Sequence, residues 1–291
     1  MIGMTGVTGV RRMQTVLTIA GFDPSSGAGV TADLMVFAAH GLFGTSCITG
    51  LTVQSTVGVR STMAVSAEVV KATLDCLVGD LPPAGIKIGM LTTAENVAVV
   101  AEFLAGFRDE EERVPVVLDP VLRSSSGREL LDAEGLAVMR ESLLPLVDWV
   151  TPNLEELGVL TGREVRRRED IPDAALALQE MGWELNVLAT GGHLNPPDDL
   201  VVPAGLLVPA GLVAPAEGEM VWLPGEQMVS RSTHGTGCAL SSALLSRVVL
   251  GDGPRDAAAA AKTYVAEAIR TAETMGRGIG PVNHLWPLRN R

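Results

Sequence analysis

Short runs rich in Val, Ile and Leu alternate along the chain with longer stretches whose apolar residues recur every three to four positions. The runs at 16–21 (VLTIAG), 46–53 (SCITGLTV), 86–91 (IKIGML), 115–121 (PVVLDPV), 148–153 (DWVTPN), 185–190 (LNVLAT) and 219–224 (EMVWLP), with a short piece near 228–232, predict strands. Between them 30–40, 66–79, 93–106, 132–144, 153–161 and 172–182 predict helices, followed by two long Ala-rich helices at about 236–250 and 255–275. Strand and helix in alternation imply βαβ units and a parallel sheet, so the class is α/β. At 291 residues the chain is long enough for two small domains or one large one. No Pro/Gly/Ser-rich linker divides it, so 14–291 reads as a single domain around a sheet of about eight strands. Residues 1–13 (MIGMTGVTGVRRM) lack the continuous apolar core of a secretory signal and read as a loose extension, with Met13 an alternative start.

Other segments read as connections. A near-repeat at 202–218, VPAGLL–VPAGLV–APAEG, is too short for a solenoid and predicts a Pro/Gly/Ala-rich loop inserted near 195–218. The charge runs RDEEER (108–113) and RRRED (166–170) lie between elements and read as solvated loops.

Composition narrows the function. Ten aromatic residues (five Phe, four Trp, one Tyr) leave little for base stacking, and a net charge of −12 opposes the counterion release that drives polynucleotide binding, so no nucleic-acid partner is expected. The longest uncharged stretch, Leu200 to Ala216, is interrupted by Pro203, Pro209 and Pro215 and falls short of a spanning helix, so no membrane partner is expected either. Cys47, Cys76 and Cys238 are too far apart for a metal site or a disulfide framework, which points to the cytoplasm. Only Lys71, Lys87 and Lys262 are lysines and none sits in a GxxxxGK[ST] sequence. Any bound phosphate is therefore expected to be held by backbone N–H groups, arginine or metal.

Four segments carry candidate chemistry. In GFDPSSGAGVTADL (21–34) the stretch from Gly27 to Ala32 formally satisfies GxGxxA. The glycines begin too far past the strand, and no acid lies between Asp33 and Glu68 to meet a ribose, so a dinucleotide site is disfavoured. Asp33 is either an exposed helical acid or a carboxylate facing the mouth of the sheet. THGTGC (233–238) opens a helix, so Gly235, Thr236 and Gly237 present N–H groups that no turn satisfies. Cys238 at such a terminus is expected to have a lowered thiol pKa; a buried structural cysteine is the alternative. In TPNLEEL (151–157) Asn153 and Glu156 are either a capping pair or groups facing a ligand. Asp119 of LDPV and Glu156, both at carboxyl ends of strands, are the candidate Mg²⁺ ligands.

Taken together, these segments resemble the ribokinase-like kinases, specifically the hydroxymethylpyrimidine and phosphomethylpyrimidine kinases of thiamine biosynthesis. The likeness runs from about Val16 to Val282 through LTIAGFDPSSGAGVTADL, TVQST, KIGML, DPV, TPNLEEL, the GGH segment, STHGTGC and GIGPVNH, in that order. It implies a three-layer fold with a mostly parallel central sheet of about eight or more strands. It also implies ATP- and Mg²⁺-dependent phosphorylation of 4-amino-5-hydroxymethyl-2-methylpyrimidine, then of its monophosphate, by a homodimer. By this resemblance Gly21, Asp33, Gln54, Met90 and Val121 line the pyrimidine pocket. Asn153, Glu156, Thr190 and Gly192 serve the nucleotide, and Gly235, Thr236, Gly237 and Cys238 form the catalytic centre, with Cys238 as base. Gln54 offers a donor and an acceptor to an aminopyrimidine edge, and Met90 a polarizable wall. Two lysines frequent in relatives are absent: Thr190 stands before Gly191-Gly192-His193, and Ser125 lies within Arg123-Ser124-Ser125-Ser126-Gly127. Arg123 or Arg128 is the available cationic substitute. A pyridoxal or pyridoxine kinase is the nearest rival, and a non-catalytic pyrimidine-binding protein of the same fold a more distant one.

Overall fold

The computed structural model describes residues 13–108, 113–124, 127–182, 184–192, 194–206 and 219–289. All but Met13 of the expected extension (1–13), most of the inserted loop (207–218), the middle of RDEEER, Ser125 and His193 lie outside the described residues.

The described residues build a nine-stranded sheet. Six strands run parallel in the order β2 (Phe43–Ser55), β1 (Thr15–Phe22), β4 (Ile86–Ile88), β5 (Val116–Leu118), β6 (Trp149–Val150) and β7 (Asn186–Ala189). Antiparallel strands extend both edges: β3 (Gly58–Ala64) beyond β2, and β8 (Asp199–Val202) then β9 (Val221–Leu223) beyond β7. A separate ladder joins β10 (Ser232–His234) to β11 (Gly280–Pro281).

Both faces of the parallel strands are covered, and for that reason their sequences read as continuous apolar runs. Val116, Leu118, Val150 and Val187 face one core, beneath α2 (Ala67–Asp80), α3 (Ala94–Arg108), α4 (Ala133–Val138), α5 (Leu154–Thr161) and α6 (Ile171–Gln179). Val117, Trp149 and Leu188 face the other, beneath α1 (Gly29–Ala39), α7 (Thr236–Val249) and α8 (Pro254–Arg270). The result is the three-layer arrangement that the resemblance implied.

Several elements depart from the sequence reading. β3 was not anticipated because its side chains are mostly exposed and show no apolar alternation. β8 lies where a loop was expected: Leu200, Val201 and Val202 are fully buried before Pro203 ends the strand. The helix expected over 132–144 gives way after Val138 to a π turn at Met139–Leu143 and a 3-10 turn at Leu144–Leu146, at Pro145. Within RRRED, Arg168 is not merely solvated: its guanidinium stacks 4.1 Å above Trp222 and lies 3.3 Å from Asp198. Among the described residues no helix is long and apolar enough to cross a membrane.

Candidate active site

Six parallel strands place their carboxyl ends along one edge, where open α/β sheets bind ligands. Gly21, Gln54, Met90, Asp119, Val121, Asn153, Glu156, Thr190 and Gly192 all stand at or just beyond those ends, and the first turn of α7 joins them. A methyl group added at Gly237 would lie 3.6 Å from Asp119 Oδ2, so the N-terminus of α7 faces the end of β5.

The loop between β1 and α1 is built on Asp23, which is buried. Its Oδ1 accepts from the backbone and hydroxyl of Ser25 at 2.8 and 2.7 Å, and its Oδ2 accepts from Ala28 N at 2.9 Å and meets His234 Nε2 at 2.8 Å. Burial by itself would raise this carboxyl, but hydrogen bonds from His234, Gln54 and Ser25 hold it well below the usual range. The loop is pressed onto α7. Gly235 caps that helix at φ 85°, and a Cβ there would sit 1.8 Å from Gly27 O. His284 Nε2 meets the same carbonyl at 2.9 Å.

Two groups of side chains flank the turn. On one side, a Cβ at Gly21 would lie 2.2 Å from Met90 Cε, so the methionine fills the space that the glycine leaves. Gln54, half-buried, is tied to Asp23. On the other side Asp119 is buried, with Ser241 Oγ 3.3 Å from its Oδ2. Burial and then the charge of Asp119 push Glu156 up to about 8. Asn153 and Glu156 do form the capping box, at 2.9 and 3.0 Å. The cap engages Glu156 Oε2 and leaves the acid within the field of Asp119. Two partly engaged carboxylates whose like charges repel suit Mg²⁺, which retains water and phosphate ligands; among the described residues there is no three-ligand cluster for a more enclosing ion. Thr190 N donates to Pro152 O at 2.9 Å, which brings the end of β7 beside Asn153, and Gly192 is exposed.

Two expectations are corrected. Asp33 does not face the mouth. It is fully buried, and its oxygens accept from Thr18 Oγ1 at 2.6 Å, Ser242 Oγ at 2.7 Å and Lys87 Nζ at 3.1 and 3.0 Å, leaving none free for a substrate. Nor is the thiol of Cys238 lowered. Burial, with the charges of Asp33 and Asp119, pushes it up to about 12 against the opposing pull of Lys87 and a hydrogen bond from Gly29 N–H. The helix terminus is a partial charge and does not outweigh two nearby carboxylates.

Sequence reasoning missed Asp23, Lys87, His234 and His284. Asp23 follows a strand end as Asp119 does, and the same positional argument would have found it. The histidines lie in THGTGC and GIGPVNH and reach the loop from 211 and 257 residues away in the chain; nothing local to those motifs shows what they meet.

The phosphomethylpyrimidine kinase family model matches residues 23–283. The hydroxymethylpyrimidine/phosphomethylpyrimidine kinase of Haemophilus influenzae is 37% identical over 273 residues, covering 94% of this chain and 97% of that protein. A thiamine biosynthesis bifunctional protein of Geobacter sulfurreducens is 38% identical over 271 residues, or 93% of this chain, which spans about half (52%) of that longer protein. Among solved structures, the phosphomethylpyrimidine kinase of Clostridium difficile superposes with a TM-score of 0.71 at 31% identity, covering 88% of this chain and 99% of that one. The pyridoxal kinase of Staphylococcus aureus in complex with AMP-PCP and pyridoxal gives 0.80 at 27%, covering 94% of each. The matched span takes in the loop at Asp23, the carboxylates beyond β5 and β6 and the first turn of α7, and with it the chain belongs to the phosphomethylpyrimidine kinase family.

Proposed function

We propose that this chain transfers the γ-phosphoryl group of ATP to the hydroxymethyl oxygen of 4-amino-5-hydroxymethyl-2-methylpyrimidine and then phosphorylates the resulting monophosphate. The observation that carries this reading is the meeting of the α7 N-terminus with Asp119 at the carboxyl edge of the sheet. There the N–H groups of residues 235–238 serve as an anion hole for the transferring group. Phosphoryl transfer needs little covalent help from protein, so positioning and charge stabilisation dominate. In the first step the hydroxymethyl oxygen bonds to the γ-phosphorus, the bridging P–O bond to the β-phosphate breaks, ADP leaves, and the hydroxyl proton passes to the thiolate form of Cys238, a minor species at neutral pH.

Gln54, Met90, Gly21 and Val121 hold the ring, with Asp23 orienting Gln54. Asp119 and Glu156 would hold Mg²⁺, which when bound offsets phosphate charge; Asn153, Thr190 and Gly192 line the nucleotide side. The S. aureus kinase solved with AMP-PCP supports ATP as co-substrate. Of the candidate cations, Arg123 is paired with Glu155 at 2.8 Å. Arg128 reaches across to Arg60 O at 2.8 Å, and neither Arg60 nor Arg128 meets a carboxylate among the described residues, so this pair is the better replacement for the absent lysines. Exposed Leu51, Val53, Val57 and Met63 on the β2–β3 hairpin favour a homodimer, and the three separated thiols favour the cytoplasm.

The likeness to pyridoxal kinases is the specific reason to hold pyridoxal as the second substrate reading. ADP release, measured with the hydroxymethylpyrimidine, its monophosphate and pyridoxal in turn, separates them. Turnover on both pyrimidines at least tenfold above that on pyridoxal is expected, and the reverse order overturns the assignment.

A further inference from the structure

Lys87, in β4, is fully buried and donates to both oxygens of Asp33. A buried ion pair gives no more stability than apolar side chains of similar volume, so stability alone does not account for it. Its placement does. Asp33 sits on α1, Thr18 on β1 and Lys87 on β4, and the remaining donor to Asp33 is Ser242, on α7. The same helix carries residues 236–238 in its first turn. Beside Ser242 the helix carries the small, buried Ala239, Ala243 and Ser246, while Leu240, Leu244 and Leu245 pack it into the core; the Ser242–Asp33 hydrogen bond adds a directional contact along its axis. A Cβ at Gly89 would lie 2.9 Å from Lys87 Nζ, which sets the ammonium on the carboxyl-end side of β4, beneath the site.

We infer that the Lys87–Asp33 pair is a positioning device for phosphoryl transfer: anchored in β1 and β4, it fixes through Ser242 the axial position of α7 and so the aim of the 235–238 N–H groups. This rests on the anion-hole reading above. Misplacing a reacting group by about 1 Å costs on the order of 10²-fold in rate, so a tether of this kind acts on turnover without touching substrate.

The test is the double variant Lys87→Met/Asp33→Leu, which removes both charges at nearly constant volume. The expected result is a melting temperature at or above the parent's, a pyrimidine KM within about threefold, and a kcat lower by at least about 30-fold in both phosphorylations. Should the double variant not fold, Ser242→Ala, which leaves the ion pair intact, reads the same tether, with a fall in kcat of about fivefold or more expected. Thr18→Val should lower kcat, and Thr18→Ser, which keeps the hydroxyl, should restore it. Parental kcat in the folded double variant, or in Ser242→Ala, overturns the inference, as does an equal loss of kcat and pyrimidine affinity. Gly237→Ala separates the two readings. If it turns over at the parental rate the hole itself is misassigned; if it is slow while the double variant is parental, only the tether is.

Discussion

At the scale of single residues, charge state and burial decide what each group does. Gln54 bonds to Asp23 and has its remaining amide capacity for a ring edge. Gln54→Leu should weaken pyrimidine binding by roughly 1–3 kcal/mol and leave ATP binding unchanged; calorimetry with each ligand checks this, and equal weakening of both indicates a folding defect. Cys238, pushed up to about 12, is a neutral thiol at neutral pH. Turnover should therefore climb with pH between about 7 and 9 as its thiolate fraction grows, and Cys238→Ser should lower kcat by about 10²-fold or more and flatten that climb. A serine variant with the parental pH profile removes the base and leaves the backbone hole alone. For Asp23 the folded carboxyl lies below its unfolded value of about 3.9, so its contribution to stability is full above that pH and fades as pH falls below it. Asp23→Asn should lower unfolding stability at pH 7 by about 1–3 kcal/mol and reduce the loss on acidification, as urea melts at pH 7 and pH 3.5 would report.

At the scale of elements, the start of α7 is where local sequence and tertiary contact agree. Gly235 is required twice over, by its left-handed φ and by the approach of Gly27 O, whereas Gly237 has only Asp119 within ordinary contact. Gly237→Ala should therefore fold normally but set a methyl group beside the carboxylate, lowering kcat at least tenfold with little change in pyrimidine KM; steady-state kinetics beside a thermal melt distinguish this from unfolding. The capping box at Asn153 and Glu156 was legible as a pattern, because a cap depends on neighbours three residues apart. What was not legible is that the same Glu156 also lies in the field of Asp119, a residue of another strand. The β2–β3 hairpin was half legible: β2 is apolar where the sheet covers it, while β3 projects beyond the covering layers and carries no burial signal.

At the scale of the whole molecule, the net charge of −12 opposes an anionic substrate, so the few cations brought together by folding matter, among them Arg60 and Arg128. A cleft of ≈ 480 Å³ between the hairpin and the 127–128 turn is lined by Arg60 and Arg128. Arg128→Gln should reduce kcat/KM for the monophosphate at least fivefold more than for the unphosphorylated pyrimidine, and the difference should shrink at high salt; an equal effect on both substrates would assign the arginine to the nucleotide instead. The sequence by itself determined the α/β class, the positions of the main strands along the chain, the family through its spaced motifs, and the residues at the strand ends, because periodicity, caps and glycine turns are properties of short segments. The tertiary structure decided which carboxylates stand at the carboxyl edge of the sheet and which is tied beneath it. Asp23 and Asp119 directly follow the ends of β1 and β5, whereas Asp33, one helical turn into α1, is directed onto Lys87. It also decided the protonation of Cys238, since a pKa sums charges brought together from β4, β5 and α1 by folding, and no spacing along the chain records that sum.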